Sequence, residues 1–122
     1  MIPLFISKIQ KNEKVPLYGD GSNIRDWLYV EDHCDAIWEV FTRAEKGSVY
    51  NVGGNNEYTN LEITKILLAT LGKSEDLISF VPDRPGHDKR YAIDASKIQR
   101  ELGWEPRVKF EEGIKKTIQF YL

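Results

Sequence analysis

The chain has 122 residues, a hydrophobic content of 41% and a formal net charge of −2. That length allows one domain with a modest core. The charge balance argues against the broad positive fields that nucleic-acid or anionic-membrane surfaces need, yet leaves room for a small anion pocket built on one or two arginines.

Ile2, Phe5, Ile6 and Ile9 predict a helix over residues 2–11, with Pro3 tolerated in its first turn. The chain opens abruptly on this helix, which suggests a piece whose upstream partner lies elsewhere. Val15–Tyr18 reads as a short extended segment, because Pro16 biases its neighbour away from helix. Gly19–Asn23 is a turn by composition. Ile24–Val30 reads as a strand, and Glu31–Arg43 as a helix with Cys34, Ile37, Trp38 and Phe41 on its apolar face. On that face Cys34 is expected to be a buried structural thiol. As the single cysteine it forms no internal disulfide, which fits a reducing cytoplasm.

Val49–Val52 is expected to be a strand ending at Gly53-Gly54. Thr59 and Glu62 have capping-box spacing for a helix ending near Gly72, with Ile63, Ile66, Leu67 and Leu71 as its stripe. Leu77–Val81 is a further strand. Ser96 opens a helix that stops at Gly103, and the last helix starts near Phe110 with Ile114, Ile118 and Tyr121 on one side. Trp27, Trp38 and Trp104 are expected in the core. Strands alternating with helices make this an α/β domain, without repeats or low-complexity linkers. No run is long enough to span a membrane, and no secretion signal opens the chain.

The most informative stretch is Asp83–Asp94. Arg84 offers a planar fork of donors suited to phosphate oxygens. Pro85-Gly86 turns the backbone so that neighbouring side chains converge. A second arginine, Arg25, lies in Asn23–Val30, and two arginines on different loops can clamp a diphosphate. The competing reading pairs each locally with Asp20, Asp26, Asp83 or Asp88. A self-contained active site is not found. There is no Gly-x-Gly-x-x-Gly turn and no Tyr-x-x-x-Lys pair, and His33 and His87 are too isolated for a metal site. Asp26, Asp32 and Asp35 read as solvent and helix-end charges.

Taken in order, Tyr18-Gly19-Asp20-Gly21, Arg25–His33, Tyr50–Glu57, Asp83–Asp88 and Glu101-Leu102-Gly103-Trp104 resemble the C-terminal third of the dTDP-glucose 4,6-dehydratases. These form a branch of the extended short-chain dehydrogenase/reductases. The resemblance covers essentially the whole chain. The arginine-aspartate-tryptophan block is shared with related nucleotide-sugar epimerases and decarboxylases; the Asp83–Asp94 region is more particular to the dehydratases.

The resemblance implies a single C-terminal nucleotide-sugar-binding domain over residues 1–122. It also implies a strand and a helix that would complete a Rossmann sheet, without a complete Rossmann fold in this chain. Family enzymes oxidise the sugar at C4 with NAD, eliminate water across C5 and C6, and return the hydride to C6. By resemblance the NAD turn and the catalytic groups lie upstream, so NAD is not expected to bind this chain alone and no catalytic residue is assigned.

The roles it implies are phosphate contacts for Arg25 and Arg84, and a base pocket at Pro16-Leu17-Tyr18. Asn60 is a substrate contact at a helix start, where either Thr59 or Asn60 is the cap. His87 lies beside the nucleotide, within the Asp83-Arg84-Pro85-Gly86-His87 block. Tyr121 reaches the substrate, although on pattern alone it belongs to an apolar stripe. Ile2-Pro3-Leu4 lines the nucleotide pocket. The implied partner is a nucleotide sugar of the dTDP-glucose class, with neither nucleic acid nor membrane involved and a cytoplasmic setting. The competing readings are a non-catalytic nucleotide- or partner-binding module and a piece of a UDP-sugar epimerase or decarboxylase. An uncovered strand edge and apolar face would promote self-association unless an N-terminal Rossmann part covers them.

Overall fold

A computed structural model describes all of residues 1–122. The elements in order are α1 (Ile2–Gln10), β1 (Val15–Tyr18), β2 (Ile24–Asp26), α2 (Val30–Arg43), β3 (Glu57–Thr59), α3 (Asn60–Thr70), β4 (Ile78–Val81), α4 (Ser96–Leu102) and α5 (Phe110–Tyr121). Two small sheets result. β1 pairs with β4 in parallel, with Val15 opposite Ile78, and β2 pairs with β3 antiparallel, with Arg25 opposite Tyr58. The fold is α/β, and these 122 residues contain no complete Rossmann sheet. No helix is long and apolar enough to cross a membrane.

The main core joins α1, β1, α3 and α5. Phe5, Ile6 and Ile9 meet Val15, Leu17, Ile63, Leu67, Leu68, Ile114 and Ile118. Each helix contributes residues three or four apart, as its apolar stripe requires. The N-terminus of α3 is fixed by the expected capping box: Glu62 N–H donates to Thr59 Oγ1, and Thr59 N–H donates to Glu62 Oε2 at 2.7 Å. A second, smaller core holds Ala36, Ile98, Leu102 and Trp104. Gly103, at φ +71°, ends α4 in the left-handed conformation that glycine adopts without a steric penalty.

Several expectations fail in instructive ways. The strand expected over Ile24–Val30 stops at Asp26; Trp27 N–H still donates to Asn56 O in register with β3, and the chain then turns into α2 at Val30. Its short partner β3 was not anticipated. Val49–Val52 forms no ladder; no strand of this chain lies within hydrogen-bonding reach. α2 is rotated from the expected orientation. Asp32 and Ala36 are buried, whereas Ile37, Trp38 and Phe41 face outward and Cys34 is exposed. The Cys34 thiol is therefore not a core group, and Trp38 is not a core residue. Asp32 and Asp26 are not solvent charges either. Asp32 Oδ2 accepts from Val108 N–H at 3.0 Å, and Asp26 accepts from Gly54 N–H and Asn56 N–H at 2.9 and 2.8 Å. Both carboxylates close loops that ladder bonds do not reach.

Candidate functional site

Three chain segments converge above the parallel β1–β4 pair. After β4 the chain runs through Asp83-Arg84-Pro85-Gly86-His87. The His87 N–H donates to Arg84 O at 3.3 Å, and Gly86 has φ +69°. Proline second and positive-φ glycine third is the pattern of a type II turn. The return strand is stitched to β2: Ile24 N–H donates to Lys89 O and Tyr91 N–H donates to Ile24 O. The buried Asn23 adds a bond from Nδ2 to Asp88 O, and Arg90 grips Glu57 on β3 with Nε and Nη2 at 2.6 and 2.9 Å. This stitching brings Arg25 and the Arg84–His87 turn to one place, although they lie about 60 positions apart.

The result is a cleft of about 550 Å³. Leu4 and Phe5 of α1 form one wall. Pro16, Leu17 and Tyr18 form the β1 edge, and Trp27, Arg25, Asn60, Arg84 and His87 complete the lining with Met1. One side is apolar and aromatic; the other carries two guanidinium groups, an amide and an imidazole. Tyr18 is exposed and meets the His87 ring edge to face, with centroids 5.9 Å apart. Such a wall suits a flat base beside an anion.

The two arginines differ. Arg25 donates to Ile24 O at 2.6 Å, to Asp88 O at 3.1 Å and to His87 Nε2 at 3.0 Å, and it lies 4.7 Å from the Tyr91 ring centre. Arg84 is exposed at the cleft, and its guanidinium bonds to no group of the chain. Neither arginine forms an ion pair with a carboxylate, so local pairing does not account for them. Asp83 sits behind His87 and does not line the cleft. Its Oδ1 contacts His87 Nδ1 at 2.6 Å and accepts from Arg84 N–H at 2.8 Å. The hydrogen bond with His87, and then that from the Arg84 backbone, hold this carboxyl below the usual carboxylate range.

Asn60 lines the cleft, but Thr59 is the cap. The first helical N–H groups are already used: Asn60 N–H donates to Asn23 O, Leu61 N–H to Gly21 O and Glu62 N–H to Thr59 Oγ1. This helix start is therefore closed to an anion. Pro85 and Gly86 shape the turn without lining the cleft. Ile2 half-buries in a small apolar pocket beside Trp27 and Phe110, and Pro3 is exposed elsewhere on α1. Tyr121 is remote. Its carbonyl accepts from Gln10 and its ring packs on Phe120. The reading of the sequence missed Met1, Phe5 and Trp27 as cleft residues and Tyr91 as the ring under Arg25.

A second cleft of about 410 Å³ runs between Gly54–Asn56, the start of α4 and Trp104–Lys109. It mixes Asp94 and Glu105 with Arg107 and Lys109, so its cations lie among carboxylates, and Trp104 is its one aromatic residue. Gly53-Gly54 offers a dinucleotide no open turn either. A Cβ on Gly53 would meet Asp26 Oδ2 at 2.6 Å, and one on Gly54 would strike the Trp27 carbonyl. These glycines are used for close packing, not as a pyrophosphate cradle.

Residues 1–117 match the family model described as GDP-mannose 4,6 dehydratase. A dTDP-glucose 4,6-dehydratase of Neisseria gonorrhoeae is 50% identical over all of this chain, which spans 38% of that relative. The crystal structure of dTDP-glucose 4,6-dehydratase from Bacillus anthracis, in complex with NAD, superposes with a TM-score of 0.92 at 49% identity, over 98% of this chain and 38% of that one. UDP-glucose 4-epimerase from Thermotoga maritima, with UDP-glucose, superposes with a TM-score of 0.90 at 29% identity, over 99% of this chain and 39% of that one.

Proposed function

Because the chain belongs to the GDP-mannose 4,6-dehydratase family, we propose that it is the nucleotide-sugar-binding part of a dTDP-glucose 4,6-dehydratase. The complete enzyme would convert dTDP-glucose to dTDP-4-keto-6-deoxyglucose and water. On this reading NAD and the catalytic groups belong to a part of the enzyme outside these 122 residues, and this chain orients the substrate. The observation that carries the reading is the meeting of Arg25 and Arg84 in one cleft, neither of them neutralised by a carboxylate. A diphosphate supplies the missing counter-charge, and the free fork of Arg84 with the remaining single donors of Arg25 fixes its position and its orientation. Tyr18, with the extended Pro16-Leu17 edge, would face the base, and the Asn60 amide would meet the ribose or sugar hydroxyls.

Support also comes from what the chain leaves bare. The outward Ile37, Trp38 and Phe41 face of α2 and the unpaired Val49–Val52 segment are surfaces that a Rossmann part would cover. The epimerase reading shares the fold. It is disfavoured by 29% identity against 49% for the dehydratase structure.

Titration calorimetry with dTDP tests the proposal. Arg84→Ala should weaken binding at least about tenfold, as expected for losing a charge-assisted hydrogen bond of about 1.5–3 kcal/mol. Unchanged affinity in that variant would remove Arg84 from the site. Tighter binding of UDP or GDP than of dTDP would favour the epimerase reading.

A further inference from the structure

The polar wall of the cleft contains a hydrogen-bond chain that nucleotide recognition alone leaves unexplained. The His87 side chain is only 6% exposed. Both of its ring nitrogens are engaged: Nδ1 lies 2.6 Å from Asp83 Oδ1, and Nε2 lies 3.0 Å from Arg25 Nη2. A guanidinium has donors and no acceptor, and it stays protonated at any working pH. Arg25 is therefore the donor, and Nε2 is the lone-pair nitrogen. The imidazole is then neutral, carries its proton on Nδ1 and donates it to Asp83. Asp83 is suited to accept, since the same Oδ1 also accepts from Arg84 N–H at 2.8 Å, a bond that favours the ionised carboxylate.

We propose that His87 is a positioning residue. In its neutral Nδ1–H form, oriented by Asp83, it holds the Arg25 guanidinium against the cleft wall and does not itself grip the ligand. This inference rests on reading the cleft as a diphosphate site. The other restraints on Arg25 are the Ile24 and Asp88 carbonyls and the Tyr91 ring. Three of the five guanidinium N–H donors are thereby used inside the chain, and two are left for an anion. His87 is the one hydrogen-bonding side chain among these restraints. An arginine ordered before the ligand arrives loses less rotamer freedom on binding.

The test is a double-mutant cycle read by dTDP titration on the whole 122-residue chain. His87→Ala should weaken binding about tenfold, and the same change in an Arg25→Ala background should weaken it no further. His87→Gln, whose amide oxygen can accept from Arg25, should recover most of the loss. Equal losses from His87→Ala in both backgrounds, or a glutamine variant no better than alanine, would overturn the proposal. A ligand-free arm separates this idea from the functional reading. Nitrogen-15 spectra of the ring at neutral pH should show Nδ1 protonated and Nε2 bare, with that tautomer depleted in Asp83→Asn. A proton resident on Nε2 would sink the proposal whatever dTDP does. A wild-type chain that ignores dTDP would reject the diphosphate reading, and the ring spectrum would still decide the state of His87.

Discussion

Asp26 directly follows Arg25 in β2 and forms no bond with either cleft arginine. Its carboxylate accepts from the backbone of Gly54 and Asn56 and ties β2 to the loop before β3. Asp26→Ala leaves the N–H donors of the buried Gly54 and the half-buried Asn56 without a partner and should cost about 2–3 kcal/mol in urea unfolding. Asp26→Asn, which keeps one accepting oxygen, should cost less. A neutral alanine variant would show that solvent satisfies both donors. Asp26 and Asp32 were not readable as structural acceptors because their donors lie 28 and 76 positions away. Arg25, Arg84 and His87 were singled out because their residue types carry phosphate chemistry and their order matches a known family. Asn60 was half readable. Its place at a helix start was evident, but the prior use of the helix N–H groups by Gly21 and Asn23 was not.

At the scale of elements, α3 was readable because its start is local. Thr59 and Glu62 satisfy each other across three positions. Thr59→Ala should lower stability by about 1 kcal/mol in thermal or urea unfolding. Backbone and side-chain bonds from Thr59 hold the Glu62 carboxyl below its ordinary value. A carboxylate whose pKa is depressed on folding stabilises the native state above the unfolded pKa, near 4.3, and loses that contribution as pH falls through the folded value. The wild-type advantage over Thr59→Ala should therefore be full at pH 6 and shrink as the solution is acidified below pH 4. An advantage that instead grew on acidification would contradict the capping account.

The orientation of α2 was not readable. Its Cys34, Ile37, Trp38 and Phe41 stripe is the stronger apolar signal, yet the Asp32–Ala36 face is the one this chain buries. The Val108 N–H bonded to Asp32, and the small Ala36 against Ile98 and Leu102, set that rotation. β3 escaped notice because three residues are too few for an alternating pattern.

Across the whole molecule, the cleft follows from pairing distant in sequence. β1 meets β4 across some sixty positions, and the β2 edge receives the Lys89–Tyr91 segment. Periodicity reveals the strands but not which of them pair. The convergence of Arg25 with Arg84 was anticipated from their chemistry and from family resemblance. The apolar wall from α1 and Trp27 depends on packing that no local pattern encodes.

The central claim is that one cleft, walled by Tyr18 on one side and by Arg25 and Arg84 on the other, takes the nucleotide diphosphate. Chemical-shift mapping with increasing dTDP tests it most directly, with the arginine side-chain N–H and histidine ring signals observed. The account predicts saturable shifts at Tyr18, Arg25, Asn60, Arg84 and His87 and none around Arg107 and Lys109. Shifts confined to the Gly54–Lys109 cleft, or signals at Arg25 and Arg84 that stay fixed while others move, would contradict it.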